Sequence, residues 1–265
     1  MTTGPIPTHG AKPLSGWRVL VPRGGPWGDS VAADIRAHGG TPVVAPMINF
    51  APASDEESLE RALSALAAGD YDWVTVTSAT TVDVLSAHQA PIHPSTRVAA
   101  VGETTAAALL AAGYRADFVP GDDNSAAGML HEWPAITRGD GPLRVLTLRS
   151  EIAKTTLTDG LTALGHEVHS VVAYRTIGIP VAEKVVEEVA SGQITAILVT
   201  SGSVAEQVQQ QLGPIPTGTL VAAIGPRTAT DARAYGLRVD VIAPERTAES
   251  LVEVLARAAA QRAAS

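Results

Sequence analysis

The sequence contains no cysteine and few aromatic residues. The absence of Cys among 265 residues excludes a disulfide framework, a thiol nucleophile and a thiolate metal site. Aromatic residues form 4% of the chain, whereas hydrophobic residues as a whole form 45%. The cores must therefore be built from Ala, Val, Leu and Ile, a composition typical of parallel sheets covered by helices.

Basic residues and long apolar runs are also scarce. The formal net charge is -8, which argues against extensive nucleic-acid binding, because phosphates are neutralised by basic patches. No apolar run reaches the ~18 to 20 residues of a membrane span, and residues 1–14 lack the apolar segment of a signal peptide. We therefore predict a soluble cytoplasmic protein with no nucleic-acid partner and no membrane partner.

An internal repeat organises the chain. The stretch 98–105 returns as 221–228, which is 123 residues later, and the ungapped register extends over 46 residue pairs with 16 identities. A second repeat, at a spacing of 126 residues, relates 18–23 to 144–149. The repeated parts follow in the order a, b, a′, b′, so the chain is a doubled protein with two units of about 120 residues each.

Strands and helices alternate along both repeats. Short apolar runs such as 73–77 and 196–200 are each followed by a helical stretch and a short loop. This pattern predicts an α/β fold with two open parallel sheets of about five strands each. Residues 1–16 are predicted to be a disordered lead-in, because they are rich in Pro and Gly. Two extended segments flanked by Pro, 47–52 and 171–177, link the repeated parts.

The predicted carboxyl ends of the strands carry mainly hydroxyls, glycines and a few arginines. Ligands of open α/β sheets bind at this edge, where helix N-termini also point. Such donors suit an anionic ligand with several carboxylates or phosphates. A Ser or Thr at a strand-to-helix turn is most often only a helix N-cap, which contributes about 1 kcal/mol. The candidate binding residues are Arg23, Thr77, Ser78, Gly102, Thr105, Arg149, Thr200, Ser201, Gly202, Gly225, Arg227 and Thr228.

Several other chemistries lack their characteristic residues. Gly24, Gly25 and Gly28 do not have the G-x-G-x-x-G spacing, and no acidic residue ends the second strand, which disfavours dinucleotide binding. His166 and His169 face opposite sides of a predicted strand, which argues against a shared metal site. There is no G-x-S-x-G elbow and no Walker loop. We predict no metal.

Five motifs taken together resemble the uroporphyrinogen-III synthase family. They are Val-Leu-x-x-Arg near the start, Val-Thr-Ser in the middle, Val-Gly-x-x-Thr-Ala, Val-x-x-Tyr-Arg-Thr at 171–176, and Ala-Ala-Ile-Gly-Pro-x-Thr-Ala at 222–229. The resemblance covers 17–256. It implies a cofactor-independent enzyme of tetrapyrrole biosynthesis that cyclises hydroxymethylbilane, inverts ring D through a spiro intermediate and releases water.

The resemblance also implies an architecture. Two flavodoxin-like parallel-sheet domains would be joined by a two-stranded β hinge, with the chain crossing over and back. Domain one would contain 17–46 and 178–265, and domain two would contain 53–170. The segments 47–52 and 171–177 would form the hinge, and the substrate would bind at the carboxyl edges of the two sheets.

Residue roles follow from the same resemblance. Tyr174 matches the tyrosine of the family near the hinge and would assist loss of the terminal hydroxyl group of the substrate; the alternative role is that of a packing aromatic. Arg23, Arg149, Lys154, Arg175 and Arg227 are the cations available to substrate carboxylates. Many members of the family have Asn or Arg two residues after the Ser of the first Thr-Ser motif, where this chain has Thr80. One contact to a substrate carboxylate is therefore either missing or made by another residue.

The resemblance implies hydroxymethylbilane as the small-molecule partner and transient contact with hydroxymethylbilane synthase. Two domains that bury each other only loosely predict a monomer. Two other functions are compatible with a two-lobed α/β fold. A non-catalytic tetrapyrrole- or anion-binding regulatory module is disfavoured by the intact Tyr174 and by both Gly-x-x-Thr turns. A nucleotide-dependent transferase is disfavoured by the missing phosphate loop.

Overall fold

Ten strands and ten helices follow one another, mostly in alternation, along the residues that the structure describes. The computed structural model of the chain describes residues 12–121, 123–139 and 141–263. The strands are β1 (Arg18–Val21), β2 (Thr41–Val44), β3 (Ile48–Pro52), β4 (Trp73–Val76), β5 (Arg97–Ala100), β6 (Arg144–Ser150), β7 (Glu167–Gly178), β8 (Ala196–Val199), β9 (Leu220–Ala223) and β10 (Val241–Ile242). The helices are α1 (Gly25–Ala37), α2 (Glu56–Ala68), α3 (Ala79–Ala87), α4 (Glu103–Ala111), α5 (Ala126–Ile136), α6 (Thr156–Ala163), α7 (Glu183–Ala190), α8 (Gly202–Leu212), α9 (Pro226–Ala234) and α10 (Ala248–Ala263).

The chain divides into two compact units, each with its own sheet. Unit one comprises the chain up to Asn49 and the chain from Gly178 onward, and unit two is Phe50–Ile177. The strand order is β10-β9-β8-β1-β2 in sheet one and β3-β7-β6-β4-β5 in sheet two. Strand β1 pairs in parallel with β2 and β8, and β6 pairs in parallel with β4 and β7. The predicted α/β fold with two parallel-sheet domains is confirmed.

Each sheet combines strands from different repeats. Sheet one joins β1 and β2 to the three strands β8, β9 and β10, and sheet two joins β6 and β7 to β4 and β5. The registers agree with the 126-residue spacing, since Arg18 pairs with Thr41 and Arg144 pairs with Glu167. In sheet one the chain runs from β1 outward to β2 and returns on the other side of β1 with β8, β9 and β10, which is the flavodoxin-like order. Sheet two has the same order when it is counted from β4, with β5 on one side, β6 and β7 on the other, and β3 at the edge.

The repeat extends to individual hydrogen bonds. Asp117 Oδ2 accepts from the Val98 N–H at 2.8 Å, and Asp240 Oδ2 accepts from the Val221 N–H at 2.8 Å. In both units the aspartate therefore satisfies a backbone donor at the start of a strand. This contact explains physically why Asp recurs at the same place in both copies.

Alternate strand residues supply hydrophobic cores on both faces of each sheet. In β1, Val19 and Val21 pack with Ile35 of α1, whereas Leu20 packs in a separate cluster with Val204 of α8. Sheet two has two corresponding clusters around β4 and β6. Burial on both faces is the arrangement expected for parallel sheets covered by helices. Within the described ranges, no helix is both long enough and apolar enough to cross a membrane.

The structure differs from the sequence-based expectation at the N-terminal side. Residues 1–11 of the predicted disordered lead-in lie outside the described residues. Residues 12–16 form a turn, and Leu14 is 0% exposed, because it packs into the core of unit one. The apolar pattern predicts a first helix over 30–38. Helix α1 begins earlier, at Gly25, since Pro26 occupies its first turn, where the missing N–H has no cost.

Two other local predictions also require correction. The sequence Ser54-x-x-Glu57 matches a capping box and predicts Ser54 as the N-cap of α2. In the structure Asp55 is the N-cap instead and accepts from the Ser58 N–H at 2.9 Å. Both residue types are good caps, so their sequence alone does not decide between neighbours. The strand and helix alternation also predicts a strand over 117–119, but this segment forms only an isolated bridge between Phe118 and Ala99.

Candidate functional site

The predicted binding residues gather where each sheet reverses its strand order. In sheet one this point lies between β1 and β8, and in sheet two it lies between β6 and β4. Arg23 follows β1 by two residues and Thr200 follows β8 directly, so both lie at the carboxyl edge, one on each side of this point. These switch points at the carboxyl ends of the strands are the places where doubly wound sheets bind ligands.

Sheet two repeats this arrangement. Its register pairs Val76 with Leu148, so that Thr77 and Arg149 follow side by side at the carboxyl edge. The Thr77 hydroxyl lies 3.5 Å from the Leu148 carbonyl oxygen, which makes at most a weak contact. Each unit therefore brings one Arg and one Thr from the predicted set to its switch point.

Two serines of the predicted set cap helices that begin at these edges. Ser78 Oγ accepts from the Thr81 N–H at 3.2 Å, and Ser201 Oγ accepts from the Val204 N–H at 3.2 Å. The N-cap interpretation is thus correct for both residues. Their backbone N–H groups and those of the first helical turns remain oriented toward the edge, where they favour anions.

Three glycines occupy the remaining helix starts. Gly102 and Gly225 are N-caps of α4 and α9 without a side-chain cap, and Gly202 is the first residue of α8. A Cβ atom at Gly225 would lie 3.0 Å from Arg246 Cγ, and one at Gly102 would lie 3.1 Å from Asn124 Cβ. These close approaches restrict larger side chains and leave the backbone donors uncovered.

The two threonines one turn into these helices are buried. Thr105 is 6% exposed and Thr228 is 4% exposed. The Thr105 N–H donates to the Gly102 carbonyl oxygen at 3.0 Å, within the tight turn that starts α4. Both threonines are therefore almost fully covered by the fold.

Tyr174 lies at the carboxyl edge of sheet two, next to Ser78. The two hydroxyl oxygens are 3.0 Å apart, and Tyr174 is 8% exposed. The register of β6 with β7 shifts between Arg149 and Ser150, so that Ser150 pairs with Tyr174. Such irregularities redirect side chains near functional sites.

The arginines of unit two are held by backbone and hydroxyl acceptors. Arg149 donates to Ser170 Oγ at 3.1 Å and to the carbonyl oxygens of Ser150 at 3.1 Å and Glu151 at 3.2 Å. It therefore fixes the loop after β6, which leaves fewer donors for a ligand. Arg175 donates to the Pro52 carbonyl oxygen at 3.0 Å, and Lys154 is exposed in the loop before α6.

The arginines of unit one differ in their surroundings. Arg23 is half-buried with its guanidinium 5.2 Å from the Trp27 ring centre, and burial lowers the pKa of Arg23 from its usual value. A desolvated guanidinium interacts strongly with an arriving carboxylate. Arg227 is more exposed and pairs with Asp231 at 3.3 Å, on the same face of α9.

A groove beside Tyr174 was not predicted from the sequence. It has a volume of about 350 Å³ and is mainly apolar, with Phe50 and Tyr174 among its walls. The rings of Phe50 and Tyr174 meet edge to face with centres 5.4 Å apart. The only signal in the sequence was an aromatic residue within the Pro-flanked segment 47–52.

Thr80 lines the same groove.

No group of three His, Cys, Asp or Glu residues within the described parts of the chain could hold a metal ion. His166 lies beside Trp133, whereas His169 contacts Tyr71, so the two histidines have separate surroundings.

A family model and two curated relatives are similar to most of this chain. Residues 29–253 match a family model described as uroporphyrinogen-III synthase HemD. A uroporphyrinogen-III synthase from Synechococcus elongatus is 26% identical over 91% of this chain and 95% of its own length. A porphyrin biosynthesis protein HemD from Ruminiclostridium josui is 27% identical over 92% of this chain, which spans only 49% of that relative.

A solved structure has the same fold. A mutant uroporphyrinogen III synthase from Thermus thermophilus matches with a TM-score of 0.63 at 20% identity, covering 93% of this chain and 99% of that one. The motifs at both carboxyl edges, the two sheets and the match over 29–253 lead to one assignment. The chain belongs to the uroporphyrinogen-III synthase family.

Proposed function

We propose that this protein converts hydroxymethylbilane to uroporphyrinogen III in tetrapyrrole biosynthesis. The reaction removes the terminal hydroxyl group as water, inverts ring D through a spiro intermediate and closes the ring, which makes the enzyme a cyclising lyase. The observation that carries the proposal is the Tyr174 hydroxyl, 3.0 Å from Ser78 at the carboxyl edge of sheet two, in a chain of this family.

In this proposal Tyr174 is the catalytic residue. The pyrrole nitrogen pushes its electron pair toward the terminal carbon as the C–O bond breaks, and the phenolic proton of Tyr174 passes to the departing oxygen, which leaves as water. The pyrrole N–H proton then returns to the Tyr174 phenolate, so that the azafulvene is neutral. The resulting azafulvene is reactive without further activation. The remaining task of the protein is to hold the substituted carbon of ring D against it and to exclude competing water.

The carboxyl edges supply the groups that bind a polycarboxylate substrate. Backbone donors at the starts of α3, α4, α8 and α9 suit carboxylates, since helix N-termini carry partial positive charge. Arg23 and Arg227 in unit one and Lys154 in unit two add positive charge at these edges. The groove beside Tyr174 offers an apolar surface for a pyrrole ring.

A regulatory module that binds tetrapyrrole without turnover is the weaker alternative. A binding protein needs carboxylate contacts but no hydroxyl beside the breaking C–O bond. The pairing of Tyr174 with Ser78 therefore favours catalysis. The monomeric state, the cytoplasmic location, the hinge role of 47–52 and 171–177, and contact with hydroxymethylbilane synthase stay predictions.

The decisive assay supplies hydroxymethylbilane and separates the oxidised porphyrin isomers by chromatography. Hydroxymethylbilane generated in place by a deaminase cyclises spontaneously to isomer I. We expect isomer III well above this background. A folded protein that yields isomer I alone would remove the proposed synthase activity and bring the binding module forward.

A further inference from the structure

Tyr174 ends a chain of three hydroxyl groups within unit two. Ser78 Oγ lies 3.0 Å from the Tyr174 oxygen and 3.1 Å from Thr81 Oγ1. The Thr81 N–H also donates to Ser78 Oγ, at 3.2 Å. The direction of the two O–H bonds decides whether Tyr174 donates its proton to Ser78 or keeps it for another molecule.

Thr81 fixes that direction. It is 0% exposed, and within the described part of the chain its hydroxyl has Ser78 Oγ as its hydrogen-bond partner. A buried O–H without an acceptor is costly, so Thr81 donates to Ser78. Ser78 Oγ then accepts from the Thr81 O–H and shares the Thr81 N–H with the Ser78 carbonyl oxygen, which lies 3.1 Å from that nitrogen. With both lone pairs engaged, Ser78 directs its own proton at the Tyr174 oxygen.

We infer that Thr81 is a positioning residue that keeps the phenolic proton of Tyr174 available to the substrate. Tyr174 accepts from Ser78, so its own O–H points away from Ser78. In the reverse direction Tyr174 would donate its proton to Ser78, and the buried Thr81 proton would have no acceptor. The inference rests on the proposed function, in which Tyr174 protonates the departing hydroxyl group.

The internal repeat supplies a natural comparison. At the 123-residue spacing Thr81 corresponds to Val204, whose N–H is capped by Ser201 at 3.2 Å. Capping therefore needs no hydroxyl at this position. At the 126-residue spacing Tyr174 corresponds to Ile48. The unit without the tyrosine also lacks the threonine hydroxyl, as expected if the hydroxyl serves the tyrosine.

The test replaces Thr81 by the residue of the other repeat. Thr81→Val keeps the backbone N–H that Ser78 caps but removes the donor that sets the direction of the chain. We expect kcat for isomer III to fall about threefold to tenfold, the factor of one oriented hydrogen bond, with KM changed less than about twofold. Thr81→Ser, which restores a hydroxyl, should recover most of the rate.

A double-mutant cycle separates positioning from packing. In the Tyr174→Phe background, Thr81→Val should cause no further loss, because the proton that it orients is absent. Thr75→Val, a buried Thr-to-Val change in the same unit outside the three hydroxyls, should retain the kcat of the wild type. Thermal melting of each variant shows whether a lower kcat is caused by misfolding. Thr81→Ser shows whether a hydroxyl group at this position restores kcat.

The outcomes are distinguishable. An unchanged kcat for Thr81→Val, or the same fold-loss with and without the Tyr174 hydroxyl, would overturn the positioning role while isomer III formation by the wild type stands. Wild-type protein that forms no isomer III would overturn the proposed function, and this inference with it.

Discussion

The contact between Tyr174 and Ser78 joins residues 96 positions apart in the sequence. Hydrophobic periodicity places Ser78 at a helix start and Tyr174 on an extended segment, but it contains no information about their distance. The contact depends on the register shift of β6 against β7, which brings Tyr174 rather than its neighbour Ala173 level with Ser150. A one-residue shift in pairing decides which side chain reaches the edge of the sheet.

Tyr174→Phe tests the hydroxyl without removing the ring that packs against Phe50. We expect kcat for isomer III to fall about 100-fold, the contribution of one general acid, with a small change in KM. The free energy of unfolding should fall by about 1 kcal/mol, because the hydrogen bond to Ser78 is lost. Steady-state kinetics and urea unfolding measure the two effects. A kcat within a factor of two of the wild type would contradict the role of Tyr174 as the proton donor.

His166 provides a prediction for pH. Burial lowers its pKa, and N–H groups face both ring nitrogens, Trp133 Nε1 at 3.0 Å and Leu143 N at 3.3 Å. A protonated ring would present its own N–H groups to these donors, so the folded state prefers neutral His166. The unfolded chain binds a proton near pH 6.5, and stability contributed by this preference is lost as pH falls below that value.

The measurement compares melting temperatures at pH 7.5 and pH 5.5. We expect the wild type to lose more stability over this interval than His166→Gln, whose side chain does not titrate. NMR titration of the His166 ring should give a midpoint below the usual value for histidine. Equal losses for the two proteins would show that His166 does not drive the pH dependence.

At the scale of the elements, the sequence defines periodic segments better than their ends. The strands and the switch-point residues Arg23 and Thr200 follow from apolar runs and from the repeat. The start of α1 cannot be read from such a run, because Gly25 has low helix propensity. The helix nevertheless extends to Gly25, with Pro26 in its first turn. Phe50 and its groove were missed for another reason, since a cavity depends on side chains from several elements.

Thr75 and Thr147 face each other on β4 and β6, and both hydroxyl oxygens are buried with no hydrogen-bond partner among the described residues. Their counterparts in unit one are the apolar Leu198 and Val21. Removing an unsatisfied hydroxyl group while keeping the shape of the side chain should stabilise the folded state. We expect Thr75→Val to raise the unfolding free energy of unit two by about 1 kcal/mol.

Thr96→Val is the matched control for this prediction. The Thr96 hydroxyl donates to the Tyr71 carbonyl oxygen at 2.6 Å and is buried. The same substitution there leaves a buried acceptor unpaired and should cost about 1 to 2 kcal/mol. Urea unfolding of both variants measures the difference. Destabilisation by Thr75→Val as large as that by Thr96→Val would show that the Thr75 hydroxyl is satisfied in solution.

At the scale of the whole molecule, the order a, b, a′, b′ leaves the pairing of the parts undecided. Tandem pairing of a with b would bury as many apolar strands as the exchanged pairing does. The exchanged pairing was implied by the family resemblance, and the sheets show it directly, with β1 beside β8 and β6 beside β4. Because of this exchange, unit two is one continuous stretch, whereas unit one consists of two stretches.

This difference predicts that the units separate unequally. A fragment of residues 46–178 contains every strand of sheet two and both of its cores, so it should unfold cooperatively when expressed alone. Unit one consists of two stretches, so its separate expression needs a linker between Asn49 and Gly178. The Ile179 N–H donates to the Met47 carbonyl oxygen at 2.9 Å, so a linker of a few Gly and Ser residues replacing unit two should close the chain.

Circular dichroism and urea unfolding of both proteins test this division. We expect each to show one cooperative transition, because each keeps a complete sheet with helices on both faces. Neither should form isomer III from hydroxymethylbilane, since each carries only half of the proposed binding residues. A fragment 46–178 without a cooperative transition would mean that its stability depends on unit one, and the two units would then form a single folding domain.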